Sequence, residues 1–290
     1  MKLFALLISC LLSSLSGFGQ ESILVNAQWV KDHQSDPKMV LVQVNFLKLD
    51  YDAEHIAGAR YLWPGSLAPD SPQGAMNEPD MKSAKEVMEG LGISNDSHVV
   101  IYFVRSEVSP TARIFLTIEN LGMKGKVSLL DGGLEAWKKA GFPTTKDLPI
   151  VKKGKFVPAS LGFIVDKNYV LKNLNSSSTV IVDARMKKFY DGEPVGNPRD
   201  GHIAGAKNIP YPDLIDPNNF IKPTDQLQGY FTSAVDSKEK EVVTYCFIGQ
   251  TASVVYLAGR ILGYNMKLYD GSMQEWSRIK ELPMEMTEKK

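Results

Sequence analysis

The sequence predicts an α/β protein of two tandem domains, each a parallel sheet covered by helices on both faces. Three observations carry that expectation. A set of landmarks in the first half recurs in the same order in the second. Short runs rich in Val, Ile and Leu alternate with helical segments, the pattern of strands buried on both faces. The length of 290 residues, 43% of them apolar, suits about two ordinary cores at roughly 150 residues per domain.

Residues 1–20 read as a secretory signal: Lys2, an apolar run from Leu3 to Leu12, then the small and polar stretch from Ser13 to Gln20. Export is expected, to the periplasm or beyond. Cys10 is expected to leave with the signal; because Leu7-Ile8-Ser9-Cys10 resembles a lipoprotein box, a lipid anchor on Cys10 is the alternative. No later apolar stretch reaches the ~20 residues of a membrane span. The first domain, 21–145, has a strand over 40–45, the run His55-Ile56-Ala57-Gly58-Ala59, a helix over 83–92 and a strand over 99–103. A helix over 111–121 and the turn Asp131-Gly132-Gly133 with Trp137 follow. The linker, 146–158, breaks the pattern with Lys146, Lys152, Lys153, Gly154, Lys155 and Pro158. The second domain, 159–290, repeats the order: a strand over 180–185, His202-Ile203-Ala204-Gly205-Ala206, a strand over 242–246, a helix over 251–262, and Asp270-Gly271-Ser272 with Trp276. Each tryptophan stands six residues after its aspartate. Four matched landmarks in one order mark a duplicated domain. A cleft between the copies is the natural ligand site.

Cys246 sits where an apolar strand runs into the small-residue turn Phe247-Ile248-Gly249-Gln250 and then into a helix opened by Thr251-Ala252. The first N–H groups of a helix lack intrahelical partners and its dipole adds partial positive charge, so thiolate is favoured there over thiol. Taken alone, the segment equally fits a small cysteine buried at a strand end. Once Cys10 is gone Cys246 has no internal disulfide partner, and a lone thiol in an oxidising compartment needs a task or burial.

Thirty-three basic residues balance thirty-three acidic ones without long runs, which excludes nucleic acid and anionic membrane surfaces as expected partners. His33, His55, His98 and His202 do not space like metal ligands, and no metal site is expected. His55 and His202 occupy equivalent repeat positions although only one copy has the cysteine, so they read as architecture, which leaves a Cys-His hydrolase without its base. A cysteine phosphatase needs arginine six residues after the cysteine, where this chain has Ala252. Asp131 and Asp270, each before glycine, read as turn residues.

At these residues the chain resembles the tandem-domain sulfurtransferases of the rhodanese family. The His-Ile-Ala-Gly-Ala element, the Asp-Gly-Gly turn followed by tryptophan, and a Cys-x-x-Gly-x-Thr-Ala loop in the second copy alone carry the resemblance. Phe103 stands where Cys246 stands in the second copy, like a first domain that has lost its cysteine. The resemblance implies two tandem rhodanese-like domains and a sulfur relay through a Cys246 persulfide. The loop Phe247, Ile248, Gly249, Gln250, Thr251 and Ala252 would wrap the sulfur with its N–H groups. It also implies substrate binding by Arg185 at the end of the strand over 180–184, and by Arg199 and Lys188 in the longer segment 186–201. Arg185 has a structural alternative in Asp183, and Lys187 and Lys188 have one as solvated charges.

Among donors, thiosulfate is expected over 3-mercaptopyruvate. Enzymes of the latter carry Gly-Ser-Gly after the cysteine and an aspartate after the first His-Ile-x-Gly-Ala; here Ile248 and Trp63 take those places. The uncharged loop departs from thiosulfate enzymes with Arg or Lys inside it, and a non-catalytic sulfur carrier or redox-sensing module is the other implied function. Cyanide or a thiol is the expected acceptor. No cofactor is implied, and a monomer is expected because two packed domains complete a site.

Overall fold

The computed structural model describes residues 22–72 and 74–287, so the leader read over 1–20, with Cys10, lies outside the described residues. The first domain runs β1 (Leu24–Val25), α1 (Ala27–His33), β2 (Met39–Val44), α2 (Lys48–Ala53), β3 (Arg60–Leu62), α3 (Met81–Gly90), β4 (His98–Phe103), α4 (Val108–Ile118), β5 (Val127–Leu130) and α5 (Gly133–Lys139). The second runs β6 (Ile164–Val165), α6 (Lys167–Asn173), β7 (Thr179–Asp183), α7 (Lys187–Tyr190), β8 (His202–Ile203), β9 (Lys207–Asn208), α8 (Thr224–Ala234), β10 (Glu241–Tyr245), α9 (Ala252–Ile261), β11 (Asn265–Tyr269), α10 (Ser272–Trp276) and β12 (Met284–Glu285). The sheets have matching strand orders, β1-β5-β4-β2-β3 and β6-β11-β10-β7-β9, and every pairing within them is parallel. The second domain adds an antiparallel pair, β8 with β12, whose two-residue strands have no periodicity for a sequence to display.

Strand alternation sorts side chains into three cores, because successive residues point to opposite faces. Val40, Val42 and Val44 of β2 and Val99, Ile101 and Phe103 of β4 enter one core; Met39, Leu41, Val100 and Tyr102 enter another. On β10, Val242 and Cys246 face the first of these, while Val243 and Tyr245 face a third. The first core is continuous through both domains, with α4 and α9 in its middle. Both helices are buried nearly all round, α4 carrying Thr111, Arg113 and Thr117 among its buried residues. At the end of α4 the buried Glu119 accepts hydrogen bonds from Tyr256 (3.0 Å) and Arg260 (2.6 Å) of α9.

The repeat holds down to single hydrogen bonds. His55 stacks on Tyr51 at 4.0 Å with Nδ1 2.8 Å from its carbonyl, and His202 stacks on Tyr190 at 3.7 Å with Nδ1 2.7 Å from its carbonyl. The hydroxyls of Tyr102 and Tyr245 accept from the N–H groups of Ile56 (3.1 Å) and Ile203 (3.0 Å). Trp137 and Trp276 each donate to a proline carbonyl, Pro143 and Pro283, at 3.0 Å. The histidines are therefore architectural in both copies. The segment 146–163 has no helix or strand, yet it is pinned to the first domain: Phe156 is fully buried, Gly154 donates to the Glu89 carbonyl (2.8 Å), and Val157 and Asn95 exchange hydrogen bonds at 2.8 and 3.0 Å.

Candidate active site

Cys246 follows β10 at the carboxyl edge of its sheet, where parallel α/β sheets carry their sites, and alternation turns its thiol toward the core shared with the first domain. The residue is 1% exposed. Its N–H donates to Ser272 Oγ (3.2 Å) and its carbonyl accepts from the N–H of Met273 (3.0 Å), while the Phe247 carbonyl accepts from Gln274 (2.9 Å). Ser272 has φ +49 and donates its hydroxyl to the Tyr269 carbonyl (3.0 Å). A left-handed serine is backbone strain kept at a site. In the first copy the place belongs to Gly133 (φ +58), where a Cβ would fall 2.4 Å from the Phe103 carbonyl. Sequence reasoning missed Ser272, and the signal was there: Asp-Gly-Gly becomes Asp-Gly-Ser only in the copy with the cysteine.

The loop after the cysteine turns at Gly249, whose φ of +82 suits glycine. Two hydroxyls hold its far end, Ser253 donating to the Gly249 carbonyl and Thr244 to the Ala252 carbonyl, both at 2.9 Å. Among the described residues nothing accepts a hydrogen bond from the N–H groups of Phe247, Ile248, Gly249, Gln250 or Thr251. α9 then starts without a side-chain cap. Free donors ahead of a helix N-terminus form a receptor for an anion.

The three basic residues expected to bind substrate separate. Arg185 is buried and clasps Asp183, Nε at 3.0 and 3.1 Å from the two carboxylate oxygens and Nη2 at 2.6 Å, with Nη2 also 2.7 Å from the Gly201 carbonyl. Its guanidinium lies 5.0 Å from the Phe247 ring, so it reaches the loop, and its Nη1 has no hydrogen-bond partner among the described residues. Lys188 pairs with Glu193 (2.8 Å) and lies over Phe189 (4.7 Å), whose ring meets Phe247 edge-on at 5.3 Å. Arg199 does something else: all its donors go to backbone carbonyls of Trp276, Ser277, Ile279, Lys280 and Leu282, at 2.5 to 3.5 Å. Arg199 holds the chain after α10 and has no donor left for a substrate, which corrects its expected role.

The cysteine-free domain closes the other side. The Gln274 side chain exchanges two hydrogen bonds with the Ala75 backbone (2.8 and 3.0 Å), Gln250 donates to Ser109 Oγ (3.0 Å), and the N–H of Glu78 donates to Asp270 Oδ2 (2.7 Å). The duplicate contact runs the other way: Asp131 Oδ1 accepts from the N–H of Ile221 in the second domain (3.0 Å). Asp131 and Asp270 are thus reciprocal clasps between the domains, beyond the turn chemistry expected of them. Burial pushes the Asp131 carboxyl up to about 6. Burial also raises that of Glu78, with the Asp270 charge adding to it.

Comparison with known proteins agrees with this arrangement. The rhodanese-like domain matches twice, at residues 26–140 and 166–279. A sulfur carrier protein of Thermus thermophilus is 31% identical over 92% of this chain and 98% of its own. The 3-mercaptopyruvate sulfurtransferase of Escherichia coli K12 is 28% identical over 90% of this chain and 97% of its own, and a thiosulfate sulfurtransferase of Azotobacter vinelandii is 26% identical over 94% and 100%. The crystal structure of the Escherichia coli 3-mercaptopyruvate sulfotransferase superposes with a TM-score of 0.76 at 27% identity, covering 87% of this chain and 99% of that one. With its domain found twice in the same order, one copy keeping the cysteine loop, the chain belongs to the rhodanese family.

Proposed function

We propose that this protein is a sulfurtransferase that moves a sulfane sulfur from thiosulfate to cyanide or a thiol through a persulfide on Cys246. The observation that supports it most is the ring of unpartnered N–H groups over 247–251 following the cysteine. The Cys246 thiolate attacks the outer sulfur of thiosulfate; a new S–S bond forms, the old one breaks, and its electron pair leaves with sulfite. The acceptor, cyanide or a thiolate, then attacks the terminal sulfur, and the electron pair returns to Cys246. Both enzyme forms are anionic at sulfur, and both are served by the same donors without rearrangement. Nη1 of Arg185 is the donor left for the sulfonate oxygens of thiosulfate. The absence of a serine at Ile248 and of an aspartate at Trp63 favours thiosulfate over 3-mercaptopyruvate, because sulfite departure leaves no enolate to protonate. With residues 1–20 as an export signal, the acceptor would be met outside the cytoplasm.

The test is release of sulfite and thiocyanate from thiosulfate and cyanide, with 3-mercaptopyruvate in parallel. Turnover with thiosulfate well above 3-mercaptopyruvate is expected, and Cys246→Ser removes it entirely, since a hard, un-ionised hydroxyl replaces the thiolate. A second reading, a sulfur carrier, is favoured by the 1% exposure of Cys246 and by the 31% identical relative that bears that description. Stable gain of one sulfur atom at Cys246 by mass spectrometry, without steady-state turnover, would select it.

A further inference from the structure

The catalytic loop carries no charge, and a buried charge beside its turn comes from the other domain. Arg113 of α4 is fully buried. Its Nη2 lies 2.8 Å from Asp270 Oδ1. Its Nη1 lies 3.7 Å from the point where a Cβ would stand on Gly249, and the Asp270 carbonyl is 3.4 Å from that same point. None of Nε, Nη1, Nη2 or Asp270 Oδ1 has an aligned hydrogen bond to a described residue. A guanidinium buried in this way is costly as a strut, since an arginine chosen for packing would have its donors filled.

The duplication supplies an internal control. The helix that follows the cysteine loop opens Ala252-Ser253-Val254-Val255-Tyr256-Leu257, without an arginine, so the second copy has no counterpart of Arg113. Asp131, the twin of Asp270, pairs with no cation among the described residues. The arginine therefore serves only the side of the interface that has the cysteine. A need for interdomain packing alone would act on both sides alike.

We propose that Arg113 is a positioning residue for the chemistry at Cys246: it balances Asp270 beneath the Gly249 turn, so that the loop presents its N–H groups to thiolate and persulfide without an unbalanced carboxylate behind them. This rests on the sulfur-transfer reading. The charged and titratable groups around the loop are Arg185 with Asp183 and the neutral Tyr245 on the β7 and β10 side, Lys188 with Glu193 at the rim, and Arg113, Asp270 and Glu78 beneath. Without Arg113, the half-buried Asp270 carboxylate, 15% exposed, would stand beside Glu78 next to the turn with no cation against it.

The test is the pH dependence of alkylation by iodoacetamide, a neutral reagent that reads the thiolate, followed at the Cys246 peptide of the full chain. It needs no sulfur donor, so it stands apart from failure of the relay itself. Arg113→Met is expected to move the midpoint up by about one unit and to slow alkylation at pH 7 roughly tenfold, with Arg113→Lys close to wild type. Asp270→Asn, which keeps an acceptor for the Glu78 N–H, moves the midpoint down, and the Arg113→Met/Asp270→Asn double variant returns it to near wild type. An unchanged midpoint in Arg113→Met, or a double variant displaced as far as the single, overturns the proposal. If circular dichroism shows Arg113→Met unfolded, Asp270→Asn decides: a downward shift supports the role, and an unchanged or upward midpoint overturns it.

Discussion

Arg185 and Arg199 are alike in sequence terms, two arginines upstream of a cysteine loop, and the structure gives them opposite duties. Arg185 spends Nε and Nη2 on Asp183 and the Gly201 carbonyl and keeps Nη1. Arg199 distributes its guanidinium over carbonyls that stand 77 to 83 residues further along the chain. Spacing near Arg199 says nothing of those partners, which is why its duty was illegible, whereas Arg185 and Asp183 lie two residues apart and their pairing was open to view. Hydrogen bonds from a charged donor are worth about 1.5–3 kcal/mol each in net terms, and several here are shared or bent. Arg199→Ala is therefore expected to lower stability by about 2–4 kcal/mol with the KM for thiosulfate unchanged, read by denaturant unfolding and steady-state kinetics. Arg199→Lys should recover little, because three donors on a flexible stem cannot span five carbonyls. A raised KM at unchanged stability would return Arg199 to the substrate.

At the scale of elements, the two Asp-Gly turns show how much of a duplicated design can be read from sequence and where reading stops. The strands were legible because apolar runs bounded by turns survive in both copies. The helices expected over 83–92, 111–121 and 251–262 appear as Met81–Gly90, Val108–Ile118 and Ala252–Ile261, displaced only at their ends. The aspartates were legible as turn residues, but their acceptors' targets, Ile221 and Glu78, lie in the opposite copy, and no local pattern connects them. The asymmetry between the turns has a consequence in pH. Among the described residues Asp131 has no cationic partner like Arg113, and burial lifts its carboxyl to about 6 against an ordinary value near 4. A carboxyl raised on folding contributes its stability below the unfolded value and loses it as pH rises through about 6. Asp131→Asn keeps an oxygen for the Ile221 N–H and cannot ionise. It should exceed wild type by about 1–2 kcal/mol at pH 7.5, with the difference closing near pH 4. Equal stability gaps at both pH values would show that Asp131 does not titrate in this window.

For the whole molecule, the decisive fact is that the middle core belongs to neither domain. Phe115 and Ala112 of α4 and Val255 and Ala252 of α9 lie in one apolar cluster, while each domain has an outer core of its own around Trp137 or Trp276. Sequence showed two domains, because the duplication is written along the chain. It did not show the shared core, since a helix buried on nearly every side does not state in its sequence which neighbour covers which face. Two domains with separate cores joined by a tether would unfold independently; two domains with a common core lose it together. Phe115→Ala removes a fully buried ring from α4 in the first domain and should cost about 3–5 kcal/mol. Its effect is to be read in two reporters, one chain retaining only Trp137 and the other only Trp276, with the remaining tryptophans changed to phenylalanine. The expected result is a single transition whose midpoint falls equally in both, because cooperative loss of the middle core exposes Trp276 although the mutation is in the other domain. A midpoint that falls for Trp137 and stays for Trp276 would mean that the domains melt apart, and that the site assembled between them can open without unfolding the cysteine domain.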